Sequence, residues 1–489
     1  MNKYYITTAI PYVNANPHIG FALELVQTDV VARFHRQRGD EVFFLTGADE
    51  NSLKNVQAAE IAGITTQKLV NQNTQKFIDL TRALNISNND FIRTTSTKHF
   101  AGAQKLWQAC RPEDIYKKSY KGYYCVGCEA FVTEKDLVGG KCPEHNTAPE
   151  LVEEKNYFFK LSNYQKKLAR LIKSDKYKIA PESRKNEVLS FIEMGLEDFS
   201  ASRSKARAKN WGVPVPGDPE QVMYVWFDAL SNYITALGYD SPAERDEKFK
   251  KFWPADAHVV GKGIIRFHAI YWPAMLLSAG LPLPKELFVH GYINIAGEKM
   301  SKSLGNVIDP FALVEKYGVE PVRYYLLRYI HPVQDSDFDI KKFEEAYNSD
   351  LANGLGNLVS RVTGLIEQNE IEIKSKVKSS ASAKATADRR QSKVFEKFIS
   401  NYQFDQALKY IWEKIAGLDS YISKEEPWAL AKAGKKEKLE KVLGKAAQGI
   451  LEVAVLLEPF LPETSRKVRE ILTAKEIKKA APMFPRLEK

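Results

Sequence analysis

The feature that most restricts the fold is an alternation of strand-like and helix-like segments near the N-terminus. YYITTAI is followed by GFALELVQTDVVARFHRQRG and then by EVFFLTGAD. In the middle segment Leu23, Val26, Val30 and Phe34 share one helical face. A βαβ unit of this kind builds a doubly wound parallel sheet, which binds ligands outside the carboxyl ends of its strands. PYVNANPHIG and TGADEN occupy those ends, so we expect functional residues there.

This rhythm is interrupted and later returns. From about Asp114 to about Asn210 the sequence has short strands, glycine pairs and charge-rich helical stretches, whereas QVMYVWFDALSNYITAL and HVVGKGIIRFHAIYWPAMLLSAG restore the earlier pattern. We therefore expect one sheet that is split by an inserted module. From about Lys341 the sequence indicates helices only, and KSKVKSSASAKATADRRQSK predicts a flexible loop between them.

Composition indicates a multidomain globular protein, and its four cysteines, three of them close together beside a histidine, suggest metal binding in a reducing compartment. The chain has 489 residues, 44% of them hydrophobic and 27% charged, with mean hydropathy −0.36 and no stretch long and apolar enough to cross a membrane. The start of the chain lacks the pattern of a secretory signal, which predicts a cytoplasmic location. Residues 371–489 hold 25 Lys and Arg against 16 Asp and Glu, so most of the net charge of +10 lies there and favours a polyanionic partner.

A cysteine and histidine cluster predicts a structural zinc site. CVGC is followed by thirteen residues and CPEH, which supplies Cys125, Cys128, Cys142 and His145. Two-residue spacings let each pair hold one ion, and three thiolates with an imidazole complete a tetrahedral site. A catalytic zinc would need an open coordination position, and this set leaves none.

Two further motifs suit nucleotide phosphates. In PHIGF, Pro17 fixes the turn, His18 can donate from a ring nitrogen, and Gly20 permits a close approach to a helix N-terminus, which attracts phosphate. In EKMSKS, Lys299 and Lys302 can neutralise charge on a departing pyrophosphate. Either motif alone also suits a packed turn or a solvated lysine loop.

Together these motifs resemble the HIGH and KMSKS elements of the class I aminoacyl-tRNA synthetases, in the same order. With the CxxC and CxxH insert, AIPYVNANPHIG, FLTGAD, YVWFDAL, FHAIYWPA and a helical tail, the chain resembles the methionyl-tRNA synthetase family over nearly its whole length. The resemblance implies a class I synthetase fold: an α/β Rossmann-like parallel sheet split by a zinc-binding insert and followed by an α-helical bundle. It implies ATP-dependent formation of methionyl-adenylate, then transfer of methionine to the 3′-terminal ribose of methionine tRNA, initiator and elongator.

The resemblance also assigns the methionine-binding residues. Methionine is unbranched and polarisable, which suits an apolar and aromatic pocket. Asp49 matches the residue that holds the substrate ammonium group, and His268 and Trp272 are four residues apart, which places them on one face of an α-helix. The residues expected to form the pocket are Ile10, Tyr12, Asp49, Trp226, Ala229, Tyr233, Ile264, His268 and Trp272.

For ATP the resemblance implies catalysis by positioning and electrostatics, without a covalent enzyme intermediate. Lys302 is the main expected cation at the α-phosphate and pyrophosphate, and Arg203 is expected near the reacting groups. Mg²⁺ is expected to accompany ATP. The residues expected at the nucleotide are Pro17, His18, Gly20, Glu24, Gly261, Lys262, His290, Lys299 and Lys302.

The chain departs from the family pattern at three positions. Phe21 replaces the second histidine of HIGH, Asn51 stands where the family often has histidine, and Gly263 stands where an aspartate is common. Phe21 removes a donor near the phosphates, and a lost transition-state donor costs on the order of 3 kcal/mol.

The helical tail is expected to read the CAU anticodon. Asn357 and Arg361 are four residues apart on a predicted helix, and Trp428 stands at a helix start. An exposed indole can stack an unpaired base, and Asn and Arg can bond to base edges. Because the sequence ends soon after this region, without the family's additional dimerising module, we expect a monomer.

The resulting domain prediction has five segments. The catalytic domain is expected at 1–113 and 221–297, the zinc-bearing insert at 114–220, the KMSKS loop with a tRNA stem-contact region at 298–345, and the anticodon-binding domain at 346–489. Two alternatives remain. A leucine, isoleucine or valine enzyme would need a larger editing insert, and a cysteine enzyme would need zinc at its amino acid. A catalytically weak synthetase-like protein that only binds tRNA is the other, suggested by Phe21 and Gly263.

Overall fold

The computed structural model describes residues 2–125, 130–132, 134, 137–143, 146–240, 247–295, 297–299, 307–373 and 389–488. The strands are β1 (Lys3–Thr8), β2 (Glu41–Ala48), β3 (Asp90–Arg93), β4 (Ile115–Cys125), β5 (Ala130–Val132), β6 (Glu150–Phe159), β7 (Lys178–Ala180), β8 (Phe199–Ser200), β9 (Ser202–Ser204), β10 (Pro214–Val215), β11 (Asp218–Met223), β12 (Ala257–Gly261), β13 (Glu286–His290), β14 (Ile293–Ile295), β15 (Glu298–Lys299) and β16 (Ser336–Asp337).

The helices alternate with these strands until the last third of the chain. They are α1 (Ile19–Gln37), α2 (Leu53–Ile61), α3 (Thr66–Ala83), α4 (Thr97–Ala109), α5 (Gln165–Lys173), α6 (Glu182–Glu193), α7 (Val225–Leu230), α8 (Asn232–Thr235), α9 (Glu247–Phe252), α10 (Trp272–Ser278), α11 (Pro310–Tyr317), α12 (Val319–Arg328), α13 (Ile340–Ala346) and α14 (Asn357–Gln368), then helices Arg389–Ser400, Phe404–Glu425, Pro427–Lys432, Lys436–Leu457 and Pro462–Leu472. No helix among the described residues is both long and apolar enough to span a membrane.

The chain divides into two compact units. The first comprises Met1–Thr28, Gly39–Arg82 and Ile86–His290, and the second comprises Asp29–Arg38, Ala83–Asn85 and Gly291–Lys489. The five-segment domain prediction is finer than this division and stays a prediction.

The first unit is built on a six-stranded parallel sheet in the order β3-β2-β1-β12-β13-β7. Successive strands extend from β1 to β3 on one side, while β12 and β13 extend on the other. The direction of winding therefore reverses between β1 and β12, and in such sheets the carboxyl ends of the strands at the reversal bind ligands. The predicted α/β class is confirmed, and β1 and β12 are joined in space although the insert separates them in sequence.

The insert contributes more to this sheet than the sequence indicates. A four-stranded sheet, β5-β4-β6-β8, and a three-stranded sheet, β10-β11-β9, lie within residues 114–223. Between β6 and β8 in sequence, β7 pairs with β13 of the six-stranded sheet, with Lys178 opposite Glu286. Three residues with a charged first position carry too little hydrophobic signal to predict a strand, so tertiary pairing decides this element.

Helices dominate the second unit. From α13 onward the described residues contain helices but no strand, as predicted. Its interior includes a fully buried ion pair in which Arg323 lies 2.8 Å from the Asp29 carboxylate, and Arg323 also donates to the carbonyl oxygens of Phe460 and Pro459. These bonds satisfy the guanidinium, without which its burial would be costly.

The predicted flexible loop is only partly testable. Residues 374–388 lie outside the described residues, but 389–393 belong to the helix Arg389–Ser400, so the loop prediction is wrong at its end. Phe395 and Ile399 in that helix are buried. Their packing extends helical structure back into a low-complexity stretch that has no apolar anchor of its own.

Candidate active site

PHIGF forms the turn that leads from β1 into α1, at the point where the winding of the sheet reverses. Pro17 is buried and His18 is exposed, and the backbone N–H of Gly20 donates to His18 Nδ1 at 3.1 Å. Because Nδ1 accepts this bond, the neutral ring carries its proton on Nε2. His18 therefore offers an exposed donor beside the N-terminus of a helix, which suits a phosphate.

Phe21 is a packed residue of this turn. Its side chain is 8% exposed, and its ring centroid lies 5.4 Å from that of Phe77 on α3. Its backbone N–H donates to His18 O at 3.0 Å. The benzyl group thus takes part in the packing of α1 against α3, and this apolar contact accounts for phenylalanine at the position.

Glu24 and His290 join three elements at the same edge of the sheet. Glu24 Oε1 accepts from the backbone N–H of Ala9 at 2.8 Å, and Oε2 accepts from His290 Nε2, also at 2.8 Å. Both side chains are buried, and His290 pairs in register with Gly261, the residue before Lys262. Since both carboxylate oxygens of Glu24 are occupied, we infer that this pair fixes the walls of the predicted nucleotide site.

The expected methionine-binding residues gather in one region of the first unit. Ala229, Tyr233, His268 and Trp272 are buried, while Ile10, Tyr12, Trp226 and Ile264 are half-buried and pack against the same core. The ring of Tyr233 lies 5.8 Å from that of His268 and 5.9 Å from that of Trp272. Residues that are distant in sequence thus form an aromatic cluster, and their role in binding methionine stays a prediction.

The helix that carries two of these residues is irregular. Phe267–Tyr271 forms a π-helical turn, and α10 begins at Trp272. His268 and Trp272 still lie on one side of this segment, since the Tyr233 ring is near both, but the segment is not a regular α-helix. A π turn holds more residues than an α-helical turn, so side chains leave the helix axis in slightly different directions. Such turns are frequent at functional sites.

His268 is neutral within this cluster. Its Nδ1 donates to Ile264 O at 3.0 Å, and its Nε2 accepts from the Tyr233 hydroxyl at 2.7 Å. Burial lowers the pKa of His268 to about 4, since the charged ring would lose its hydration. The cluster consequently presents no cation to an apolar side chain at neutral pH.

A second histidine, absent from the sequence prediction, supports Trp272. His258 on β12 is fully buried, with Nδ1 2.8 Å from Thr7 Oγ1, and its Nε2 accepts from Trp272 Nε1 at 3.3 Å. Burial and the neighbouring His268 hold the pKa of His258 well below its usual value. A histidine inside the apolar run AHVVG is a signal that could have found it, because a buried polar ring needs partners.

Asp49 follows β2 and is held at three points. Its backbone N–H donates to Pro11 O at 2.9 Å, its carbonyl oxygen accepts from Asn55 Nδ2 at 3.0 Å, and its Oδ1 accepts from the backbone N–H of Asn51 at 3.2 Å. The residue is 2% exposed, and its backbone forms an isolated parallel β-bridge with Tyr12 in the loop that follows β1. A fixed carboxylate beside the aromatic cluster suits a substrate ammonium group.

Close approach at this edge requires a glycine before Asp49. A Cβ built on Gly47 would lie 2.4 Å from Ile92 atoms and 3.0 Å from Ile10 Cγ2. Any larger residue would displace Ile10, one of the expected pocket residues.

Arg203 lies in the small sheet of the insert region. Its guanidinium lies 4.4 Å from the centre of the Tyr224 ring, and Nη1 donates to Ser202 O at 2.8 Å and to Ser200 Oγ at 2.8 Å. It lines a shallow, solvent-open cleft together with Asn51, Trp211 and Val225. The cleft thus connects Arg203 with the residues that follow β2 and begin α7.

The lysine loop and half of the predicted zinc ligands lie outside the described residues. Lys302 is outside, and Lys299 is described by its backbone alone, at the end of β15. Cys128 and His145 are outside, while Cys125 and Cys142 are 1% and 2% exposed. Gly139 and Gly140 adopt positive φ in the turn before Cys142, whose carbonyl oxygen accepts from Asn146 N–H at 2.7 Å. Buried thiols suit a structural zinc ion, and the zinc site stays a prediction.

The predicted anticodon residues belong to the second unit. Asn357 is exposed at the start of α14, and Arg361 Nη2 lies 2.6 Å from Asp419 Oδ1. Trp428 is 40% exposed in the helix Pro427–Lys432. An exposed indole at a helix start is available for stacking on a base.

The chain is similar to known proteins over most of its length. The family model described as tRNA synthetases class I (M) matches residues 4–150 and 145–363. A methionine–tRNA ligase from Brucella melitensis is 44% identical over 480 residues, covering 96% of this chain and 92% of the relative. One from Thermotoga maritima is 42% identical over 477 residues, covering 95% and 74%.

A solved structure shares the fold. The Mycobacterium tuberculosis methionyl-tRNA synthetase in complex with methionyl-adenylate superposes with a TM-score of 0.89 at 41% identity, covering 96% of this chain and 94% of that one. These two relatives and this structure each match 95% or 96% of the chain. The chain belongs to the methionine–tRNA ligase family of the class I tRNA synthetases.

Proposed function

We propose that the protein ligates methionine to methionine tRNA in two steps. The methionine carboxylate attacks the α-phosphorus of ATP, which forms methionyl-adenylate and releases pyrophosphate. A hydroxyl of the 3′-terminal ribose of the tRNA then attacks the adenylate carbonyl, which forms the ester and releases AMP. The neutral aromatic cluster beside the fixed carboxylate of Asp49 is the observation that carries this proposal.

The amino-acid end of the site works by shape and by one charge. Asp49 pairs with the ammonium group, while Ile10, Tyr12, Trp226 and Ala229 surround the thioether chain with apolar surface. Tyr233 and His268 bond to each other, so neither requires a hydrogen bond from the substrate. A side chain with an unmatched donor or charge would lose its hydration on entry and would be rejected.

The nucleotide end works by electrostatic stabilisation. His18 Nε2–H, Gly20 and the N-terminus of α1 are proposed to hold the phosphates, and Lys302, with Lys299 and Arg203, to neutralise charge that develops on the pyrophosphate. Glu24, Gly261, Lys262 and His290 form the surrounding walls. Magnesium is proposed to accompany ATP, where it shields phosphate charge.

The remaining assignments extend this proposal. Cys125, Cys128, Cys142 and His145 would hold a zinc ion that stabilises the insert. Asn357, Arg361 and Trp428 would read the anticodon of initiator and elongator methionine tRNA. We propose that the enzyme acts as a cytoplasmic monomer, which sedimentation equilibrium of the purified protein would test.

ATP–pyrophosphate exchange tests the reaction directly. The purified protein is assayed with methionine and, in parallel, with leucine, isoleucine, valine and cysteine. We expect exchange that depends on methionine alone. Folded protein that binds methionine tRNA yet exchanges no pyrophosphate with any of the five would overturn the proposal and favour the tRNA-binding alternative.

A further inference from the structure

A chain of buried polar side chains connects α4 with α7 and with the loop after β2. His99 Nε2 lies 2.5 Å from Asp228 Oδ1, and Asn51 Nδ2 donates to Asp228 Oδ2 at 2.7 Å. The three residues are 0%, 1% and 8% exposed. Since a carboxylate only accepts, His99 Nε2 carries a proton, and both oxygens of Asp228 are occupied.

The orientation of the Asn51 amide follows from its partners. Nδ2 donates to Asp228 Oδ2 and to Thr94 O, at 2.7 and 2.9 Å, and both partners can only accept. The backbone N–H of the same residue donates to Asp49 Oδ1. Asn51 thus holds Asp228 through its side chain and Asp49 through its main chain.

This arrangement ties the two ends of the methionine site together. Asp228 lies on α7, which also carries the expected pocket residues Trp226 and Ala229. Asp49 is the proposed anchor for the ammonium group. The buried hydrogen bond from Asn51 to Asp228 therefore links the loop that holds the Asp49 carboxylate to α7, the helix expected to form the apolar wall.

Stability alone does not account for a polar chain at this place. A buried carboxylate pays a large desolvation cost, and well-packed apolar residues of similar volume are often as stable. Polar groups in a core are most useful where a defined geometry is needed. The geometry defined here is the spacing between a carboxylate and a hydrophobic wall.

We propose that Asn51, held by Asp228 and His99, is a positioning residue that sets the distance between Asp49 and the pocket wall on α7, and thereby selects the length of the amino-acid substrate. This inference rests on the proposed function. The substrate selected is an α-amino acid with an unbranched apolar side chain of fixed length. A loosened connection would weaken methionine binding and would let a chain one methylene longer compete.

The test compares three variants in ATP–pyrophosphate exchange with methionine and with ethionine, its S-ethyl homologue. Asn51→Ala removes both amide donors. Asn51→His keeps one ring N–H that can donate to Asp228, but the same nitrogen has no second hydrogen for Thr94 O. Asn156→Ala is the matched control, because Asn156 is 0% exposed and donates to the Glu154 carboxylate at 3.1 Å within the four-stranded sheet.

For Asn51→Ala we expect the KM for methionine to rise roughly tenfold while the KM for ATP changes less than about twofold. The ratio of kcat/KM for methionine over ethionine should fall at least about fivefold. Asn51→His should recover part of both losses. Asn156→Ala should leave the KM and the ratio unchanged, whatever its thermal stability.

Several outcomes would overturn the inference. In folded Asn51→Ala, these are an unchanged KM for methionine, an equal rise in the KM for methionine and the KM for ATP, or an unchanged ratio of kcat/KM for methionine over ethionine. The same losses in Asn156→Ala would also overturn it. If Asn51→Ala fails to fold, Asn51→His carries the same test with about a threefold expected rise in KM. Wild-type protein without methionine-dependent exchange would instead refute the proposed function, so the two failures are distinguishable.

Discussion

Replacing Phe21 with histidine would give this chain the HIGH sequence of the class I tRNA synthetases. The structure predicts that the replacement costs stability and does not accelerate the reaction. The Phe21 side chain is almost fully buried, and its ring lies against Phe77 on α3. A histidine in the same rotamer would place both ring nitrogens beside an aromatic ring.

The expected loss of unfolding free energy can be worked from these contacts. Burial of a phenylalanine side chain contributes about 1.5–3 kcal/mol, and a tilted aromatic pair adds about 0.5–1.5 kcal/mol. An imidazole of smaller apolar area retains part of this packing. We therefore expect a loss of about 2 kcal/mol. Any gain in exchange rate should stay within about twofold, because the side chain at this position packs against Phe77 on α3.

The assay pairs urea unfolding, followed by circular dichroism, with the exchange rate at saturating methionine and ATP. Phe77→Leu is the matched control, since it removes the same ring contact from the side of α3 and adds no imidazole. Unfolding free energy equal to that of the wild type, or an exchange rate tenfold higher, would refute the reasoning. The second result would mean that position 21 faces the phosphates during the reaction.

Four other predictions concern separate parts of the molecule. Burial holds the pKa of His268 at about 4 against an ordinary 6.5, so between these pH values the unfolded chain binds a proton that the folded chain does not. The free energy of unfolding should therefore fall as pH falls, by about 2 kcal/mol from pH 6.5 to 5 for this group. In urea unfolding, His268→Gln should show a shallower dependence of this free energy on pH. Lys302→Ala should slow adenylate formation about a hundredfold while methionine binding, measured by calorimetry, changes little; an unchanged rate would remove the lysine loop from the reaction. Trp428→Ala should raise the KM for tRNA about tenfold and leave pyrophosphate exchange intact, whereas equal loss in both assays would indicate misfolding. Removal of zinc by a chelator should loosen the insert and lower aminoacylation, and full activity of protein shown to be free of zinc by atomic absorption would contradict the structural zinc site.

The sequence predicts the α/β fold because its strongest signals are local. The helical face of α1 is read from residues three and four apart, and Leu23, Val26, Val30 and Phe34 are all buried. The position of PHIGF after β1 then places His18 at the reversal of the sheet. Family membership, also predicted from the motifs, is confirmed by matches over nearly the whole chain.

Elements that depend on distant partners were not predicted. The strand β7 forms where β13 offers it an edge, and Lys178–Ala180, with Ile179 as its one β-branched residue, is too short to predict a strand. The π turn at Phe267–Tyr271 inserts its extra residue inside an apolar run, where a period of 3.6 and a slightly longer period look alike. Local patterns carry no information about either choice.

The same limit applies to the site. Resemblance supplies Tyr233, His268 and Trp272, but their supporting residues are joined across long stretches of chain. His258 meets Thr7 on the neighbouring strand, and His99 meets Asp228 in a different helix. A lone histidine in an apolar segment predicts that its ring has a hydrogen-bond partner but does not identify that partner. The three-dimensional structure is needed to identify it.

These pairings explain how a pocket with so many polar rings can accept an apolar side chain. Trp272 donates to His258, Tyr233 donates to His268, and His268 donates to Ile264 O, so these donors are already bound to protein acceptors. Both histidines stay uncharged at neutral pH because burial lowers the pKa of each. These three donors are therefore satisfied inside the wall, whereas the buried Trp226 Nε1 has no hydrogen-bond partner within the described part of the chain. The aromatic rings of the wall suit a polarisable thioether. The remaining charge lies at Asp49, where the ammonium group common to all amino acids binds, and so selection for methionine depends on the shape of the wall and on its distance from that carboxylate.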